Sequence, residues 1–202
     1  MHTYQQLQKE LDFIDELPVT EDWSAAADFL FLIKEYCIEK KPEVIVECSS
    51  GLTSLILAKC CQINSMGKVY SLENGKEYAD ISQLNLNNAG LDDWAHIVHA
   101  PLEAVSINDN NYDWYSLSEM PESSIDMLVI DGPPGFIQKH SRFPAIPLLF
   151  DKLSDQSRVF LDDAARDEEK ELVAMWLQMY PFIEHEYIET ERGCSVLKIN
   201  KI

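Results

Sequence analysis

The stretch Val44–Leu57, VIVECSSGLTSLIL, limits most strongly what this chain can fold into. An apolar run of strand length meets a turn of small residues and then a helical pattern, and Glu47 closes the run. A second such run, Lys68–Glu73, closes on Glu73, 26 residues after Glu47. In open α/β sheets this layout turns backbone N–H groups toward a ligand, and an acid after the following strand accepts hydrogen bonds from ribose hydroxyls. The spacing therefore predicts a pocket for an adenosine-containing ligand.

The rest of the chain keeps the same alternation. Tyr4, Leu7, Leu11 and Ile14 fall at helical spacing and predict a first helix ending near Pro18. Thr20 is placed to cap a second helix running to about Lys40, with Glu21 and Asp22 in its first turn. From Glu43 onward strands are expected at Val44–Glu47, Lys68–Glu73, Ala95–Ala100, Ile125–Ile130 and Arg158–Leu161. Helices are expected at Thr53–Ile63, Glu77–Asn88 and Pro144–Leu153, and in a later segment carrying Leu172, Val173, Trp176, Leu177 and Tyr180 on one face. The stretch Ile107–Ser123, rich in Asn, Asp and Ser, reads as a polar loop in which Trp114 and Tyr115 pack the loop down or wall a pocket. Two last strand-like runs, Phe182–Glu189 and Cys194–Ile199, are separated only by Thr190–Gly193, which suits a hairpin and not a parallel crossover. The expected fold is α/β: five parallel strands plus a C-terminal antiparallel hairpin, with helices on both faces. No repeat or linker divides the chain, so residues 1–202 read as one domain, with helices over 1–40 flanking or capping an α/β core over 43–202.

Charge narrows the partners. The chain carries 35 Asp and Glu against 16 Lys and Arg, a net charge of −19, and such a field repels nucleic-acid backbones and anionic membranes. Its five cysteines (Cys37, Cys48, Cys60, Cys61 and Cys194) are odd in number and lack metal-ligand spacing, so reduced thiols and a cytoplasmic location are expected. No run has transmembrane length. The oligomeric state is left open, a homodimer included.

Four motifs sharpen the reading: ECSSGLTS at Glu47–Ser54, VIDGPPG at Val129–Gly135, SRFPAIP at Ser141–Pro147 and FLDDAAR at Phe160–Arg166. In order and spacing they resemble the class I S-adenosylmethionine-dependent methyltransferases of small-molecule type, whose motifs read E-x-G-S-G-x-S-T, V-D-G-P-P, R-x-P-A and L-D-D-x-x-R. The resemblance implies a Rossmann-like sheet of order 3-2-1-4-5-7-6 and methyl transfer to a small molecule, at oxygen first and nitrogen second. It sets Ser49, Ser50, Gly51, Thr53 and Ser54 against the methionine part of S-adenosylmethionine, Glu47 near its ammonium, Glu73 on the ribose and Ala100–Leu102 at the adenine. One position departs from the pattern: the first loop glycine of the family is Ser49 here, and its Cβ narrows the pocket.

Asp131 lies at the end of the fourth sheet strand, where such sheets bind ligands, and can orient or deprotonate an acceptor. Asp162 and Asp163 end the neighbouring strand, so three carboxylates are expected at one edge. They call either for Mg2+ or another divalent cation, as in catechol O-methyltransferase-like enzymes, or for pairing with Arg142, Arg166, Lys139 or His140. His140 is the histidine placed to serve as a base. Two other readings compete. A silent methyltransferase fold kept for binding is favoured by Ser49. An NAD(P)-dependent oxidoreductase is disfavoured, because only one of the three glycines of its fingerprint is present.

Overall fold

Strands that are mostly apolar on both faces need cover on both, and the fold supplies it. The computed structural model describes residues 2–201. Its elements run α1 (Tyr4–Glu10), α2 (Ala27–Lys40), β1 (Val44–Cys48), α3 (Leu52–Asn64), β2 (Lys68–Glu73), α4 (Lys76–Asn88) and β3 (Ala95–His99). There follow β4 (Leu102–Ile107), β5 (Asn110–Tyr115), β6 (Ile125–Ile130), α5 (Ala145–Leu149), a 3-10 turn, β7 (Leu153–Leu161), α6 (Asp167–Met179), β8 (Glu184–Ile188) and β9 (Cys194–Lys198).

Seven strands form one sheet in the order β3-β2-β1-β6-β7-β9-β8. The first five are parallel, and β9 pairs antiparallel with both β7 and β8. Counting only strands of this sheet, the order is the expected 3-2-1-4-5-7-6. Alternate side chains feed two cores. Ile45, Met127, Val129 and Phe160 face α2 and α3 in one, and Val46, Leu128, Ile130 and Leu161 face α5 and α6 in the other. Parallel pairing sets the C-terminal ends of β1, β2, β3, β6 and β7 along one edge, which is where ligands bind in open sheets of this kind.

Several expected elements differ. Helix α1 stops at Glu10, because Asp12 takes a positive φ of 53° and turns the chain, which leaves Ile14 97% exposed. The second helix starts at Ala27 and not at Thr20. Thr20–Ser24 instead closes a turn in which Ser24 N–H donates to the Thr20 carbonyl and Asp22 has φ 64°. The polar loop from Ile107 contains a strand: β4 and β5 form a separate antiparallel pair joined by Asn108 and Asp109, both at positive φ, as tight hairpin turns require. Helix α5 is shorter than expected, and β7 begins at Leu153, five residues before the expected Arg158.

All five cysteines are free and buried. Among the described residues no helix is long and apolar enough to cross a membrane.

Candidate active site

The β1–α3 turn is built around a buried acid. Glu47 is 1% exposed and lies opposite Ser71 in the β1–β2 register. Its Oε2 accepts from Ser71 Oγ at 2.6 Å and from Ser54 Oγ, one turn into α3, at 2.5 Å. Burial outweighs these two hydroxyls and pushes the Glu47 carboxyl up to about 7. Gly51, at φ 142°, opens α3, and its N–H donates to Ser54 Oγ at 3.1 Å.

Ser49 holds φ 101°, a region that side-chain-bearing residues rarely adopt. Its N–H donates to the Leu72 carbonyl, so the strain is held in place by the sheet. Ser49→Gly is therefore expected to raise stability by about 1 kcal/mol. The midpoint of urea unfolding measures this, and a lower midpoint would show that the hydroxyl contributes more than the strain costs.

Glu73, 6% exposed, is engaged by the protein itself. Its Oε2 accepts from Ser50 N–H at 3.1 Å and Ser50 Oγ at 3.0 Å, and its Oε1 accepts from Gly75 N–H at 2.9 Å. Ser50 Oγ also bonds Ser82 Oγ of α4 at 2.9 Å. The turn is thus drawn onto the acid that the resemblance assigns to ribose. Thr53 is buried in the first turn of α3, and Leu102 is half-buried at the start of β4.

On the other side of β1 lies a cavity of about 630 Å³, lined among others by Ser49, Asp131, Arg142, Arg166, Trp23 and Phe136. Ser49 and Asp131 belong to this cavity, whereas Glu47, Ser50, Gly51, Thr53, Ser54, Glu73 and Leu102 lie outside its lining. The two halves of the edge meet at Gly132. A Cβ there would overlap the Tyr115 hydroxyl and would stand 3.0 Å from Ser49 Cβ. Tyr115 is almost fully buried, so β5 delivers a phenol to the junction of β1 and β6.

Arg142 governs the acidic edge. It is buried, and its Nη2 donates to the Asp131 carbonyl at 2.8 Å, to Asp131 Oδ1 at 3.3 Å and to Asp163 Oδ2 at 2.8 Å. Nη1 donates to the Asp162 carbonyl at 2.9 Å. Arg166 Nη1 adds an ion pair to Asp163 Oδ2 at 2.9 Å. Burial drives the Asp131 carboxyl up to about 7, with Arg142 opposing and Asp163 reinforcing the rise. The Asp162 side chain makes no hydrogen bond in this cluster: both its oxygens are buried without a partner, and burial pushes its carboxyl up to about 8.

Among the described residues no group of three or more His, Cys, Asp or Glu side chains is placed to hold a metal. Of the three carboxylates expected to share a cation or to pair with arginine, Asp131 and Asp163 meet at Arg142, and the Asp162 carboxyl makes no bond there. His140, the histidine expected as a base, lies beside Glu168 and Glu171. Its Nε2 bonds Glu171 Oε2 at 2.8 Å, its N–H donates to Glu168, and it does not line the cavity.

Sequence reasoning missed Trp23 and Phe136. These exposed aromatics meet edge to face at 6.4 Å between ring centroids at the cavity mouth. The available signal was a lone aromatic in each of two otherwise polar or glycine-proline turns.

Residues 46–164, more than half of the chain, match the family model described as a methyltransferase domain. No curated protein matches the sequence significantly. Among solved structures, the SAH-bound methyltransferase PaMTH1 of Podospora anserina aligns with TM-score 0.71 at 13% identity, covering 100% of this chain and 90% of that one. The O-methyltransferase of Bacillus cereus in complex with SAH aligns at 0.68 and 12% identity, covering 98% and 90%. The O-methyltransferase TomG of Streptomyces achromogenes, involved in tomaymycin synthesis and bound to SAM, aligns at 0.66 and 13%, covering 97% and 87%.

Proposed function

Because the chain belongs to the methyltransferase-domain family, we propose that it transfers a methyl group from S-adenosylmethionine to an oxygen of a small-molecule acceptor. One observation carries the reading. The Ser49–Gly51 turn stands between two buried acids, Glu47 and Glu73, at the ends of adjacent parallel strands, and a cavity opens directly beside it at Asp131. The cofactor takes the Glu73 side, with its ribose displacing Ser50 from the Glu73 carboxylate, and the acceptor takes the cavity. Oxygen as the acceptor atom is supported by the O-methyltransferases among the similar folds.

The reaction asks for alignment and a proton acceptor. An acceptor oxygen attacks the methyl carbon, the O–C bond forms as the C–S bond breaks, and the electron pair stays on sulfur as a neutral thioether. The hydroxyl proton passes to Asp131, the carboxylate in the cavity whose buried position raises its basicity. Arg142 fixes that carboxylate through both Oδ1 and the backbone carbonyl, which preserves its aim. Trp23 and Phe136 offer apolar faces at the mouth, suited to a planar acceptor and to excluding water. We place the protein in the cytoplasm, where its five buried thiols stay reduced.

Label transfer from methyl-labelled S-adenosylmethionine into a panel of small hydroxyl compounds tests the activity. Label on oxygen supports the reading, and label on nitrogen alone would overturn the oxygen assignment. Glu73→Ala is expected to weaken S-adenosylhomocysteine binding by roughly tenfold or more while leaving the fold intact, since a charge-assisted ribose bond contributes about 1.5–3 kcal/mol. Unchanged affinity would remove Glu73 from the site. The competing reading, a silent fold kept for binding, draws on the strained Ser49 and the self-occupied Glu73. Binding of S-adenosylhomocysteine without label transfer to any acceptor would favour it.

A further inference from the structure

The place between β6 and β7 where a cation would neutralise the acids is already filled by a side chain. We propose that the Arg142 guanidinium is this protein's built-in cation, and that the site neither binds nor uses a divalent metal there.

The geometry is specific. A divalent ion bound at this edge would have to sit about 2.0–2.6 Å from the oxygens that end the two strands. Arg142 Nη2 stands 2.8–3.3 Å from three of them, namely the Asp131 carbonyl, Asp131 Oδ1 and Asp163 Oδ2. Ion and nitrogen would therefore compete for nearly the same point. The planar fork does what a point charge cannot, bridging β6 through Nη2 and β7 through Nη1 to the Asp162 carbonyl. A fourth acid, Glu169 of α6, lies 3.9 Å from Nη1.

Nor can the guanidinium swing away easily, because both neighbours in the chain are pinned. Ser141 Oγ donates to the Pro133 carbonyl at 2.9 Å, and the Phe143 carbonyl accepts from Trp176 Nε1 at 2.8 Å; both bonds are buried. The Asp162 carboxyl, the third ligand a metal would want, makes no bond to the cluster and offers it only a backbone oxygen. The role of Arg142 in aiming Asp131 rests on the methyl-transfer reading above, whereas the exclusion of metal does not.

Electron paramagnetic resonance of Mn2+ with the full chain tests this without any enzyme assay. Wild-type protein is expected to leave the free Mn2+ spectrum unchanged. Arg142→Ala, which removes the cation and leaves its oxygens clustered, is expected to bind Mn2+ at least roughly tenfold more tightly than wild type. Arg142→Met, which keeps side-chain bulk without charge, is run in parallel in case the alanine variant does not fold. Stoichiometric Mn2+ binding by wild type that is lost in Asp131→Asn would overturn the proposal. So would folded Arg142 variants that bind Mn2+ no better than wild type. If label transfer is found, insensitivity to EDTA supports the proposal, and loss restored by Mg2+ refutes it. Absence of label transfer counts against the methyl-transfer reading alone and leaves the Mn2+ result standing.

Discussion

Gly132→Ala is expected to lower stability by about 1–3 kcal/mol and to weaken S-adenosylhomocysteine binding by at least roughly tenfold. The new methyl would overlap the Tyr115 hydroxyl, stand 3.0 Å from Ser49 Cβ and 3.4 Å from the Cys48 carbonyl. None of these neighbours has an easy retreat. Tyr115 is 2% exposed and packs edge to face on Trp114 at 5.1 Å. Ser49 already sits at a strained φ, and Cys48 is the last residue of a central strand. Yielding at Ser49 or Cys48 displaces the first loop, which is the proposed cofactor contact. Urea unfolding and calorimetric titration measure the two effects. A variant with wild-type stability and affinity would show that the junction of β1, β5 and β6 is looser than its packing implies.

The second large effect is a dependence of stability on pH. Asp162 is 1% exposed with both carboxyl oxygens unpartnered, and its carboxyl is pushed up to about 8 by burial, with Asp131 and Asp163 adding to the rise. The folded chain therefore keeps a proton that the unfolded chain releases near pH 4. Stability is full below that value and falls as pH rises toward 8, by about 1.4 kcal/mol per pH unit for one retained proton. Glu47 and Asp131, each raised to about 7, act in the same direction up to neutrality. Asp162→Asn removes one of these protons, so its stability curve between pH 5 and 8 is expected to be flatter by that amount, with its largest advantage over wild type near pH 8. Parallel curves for variant and wild type would show that Asp162 is ionised in the folded state.

The parallel core was legible because its strands are short runs with mostly apolar interiors: Ile125–Ile130 and Lys68–Glu73 begin and end at the expected residues. The terminal hairpin was legible from the shortness of Thr190–Gly193 alone. Strands β4 and β5 were hidden because they form a two-stranded ribbon off the main sheet with mostly exposed or half-buried side chains, so no sharp apolar alternation marks them. At the site, the sequence could place Glu47, Glu73 and Asp131 at strand ends but not choose between metal and arginine. That choice depends on a contact between Arg142 and residues 11 and 21 positions away, closed by the packing of the Ser141–Phe143 segment. Asp162 and Asp163 were expected to act together. Neighbours at a strand end point to opposite sides, and the positive φ of 58° at Asp163 decides which carboxylate reaches Arg142.

Calorimetric titration of the full chain with S-adenosylmethionine, S-adenosylhomocysteine and NAD, each with and without Mg2+, tests the central claim most directly. One-to-one binding of both adenosyl compounds, indifferent to Mg2+, with no heat from NAD, is the expected result. Binding of NAD alone, or of none of the three, would contradict it.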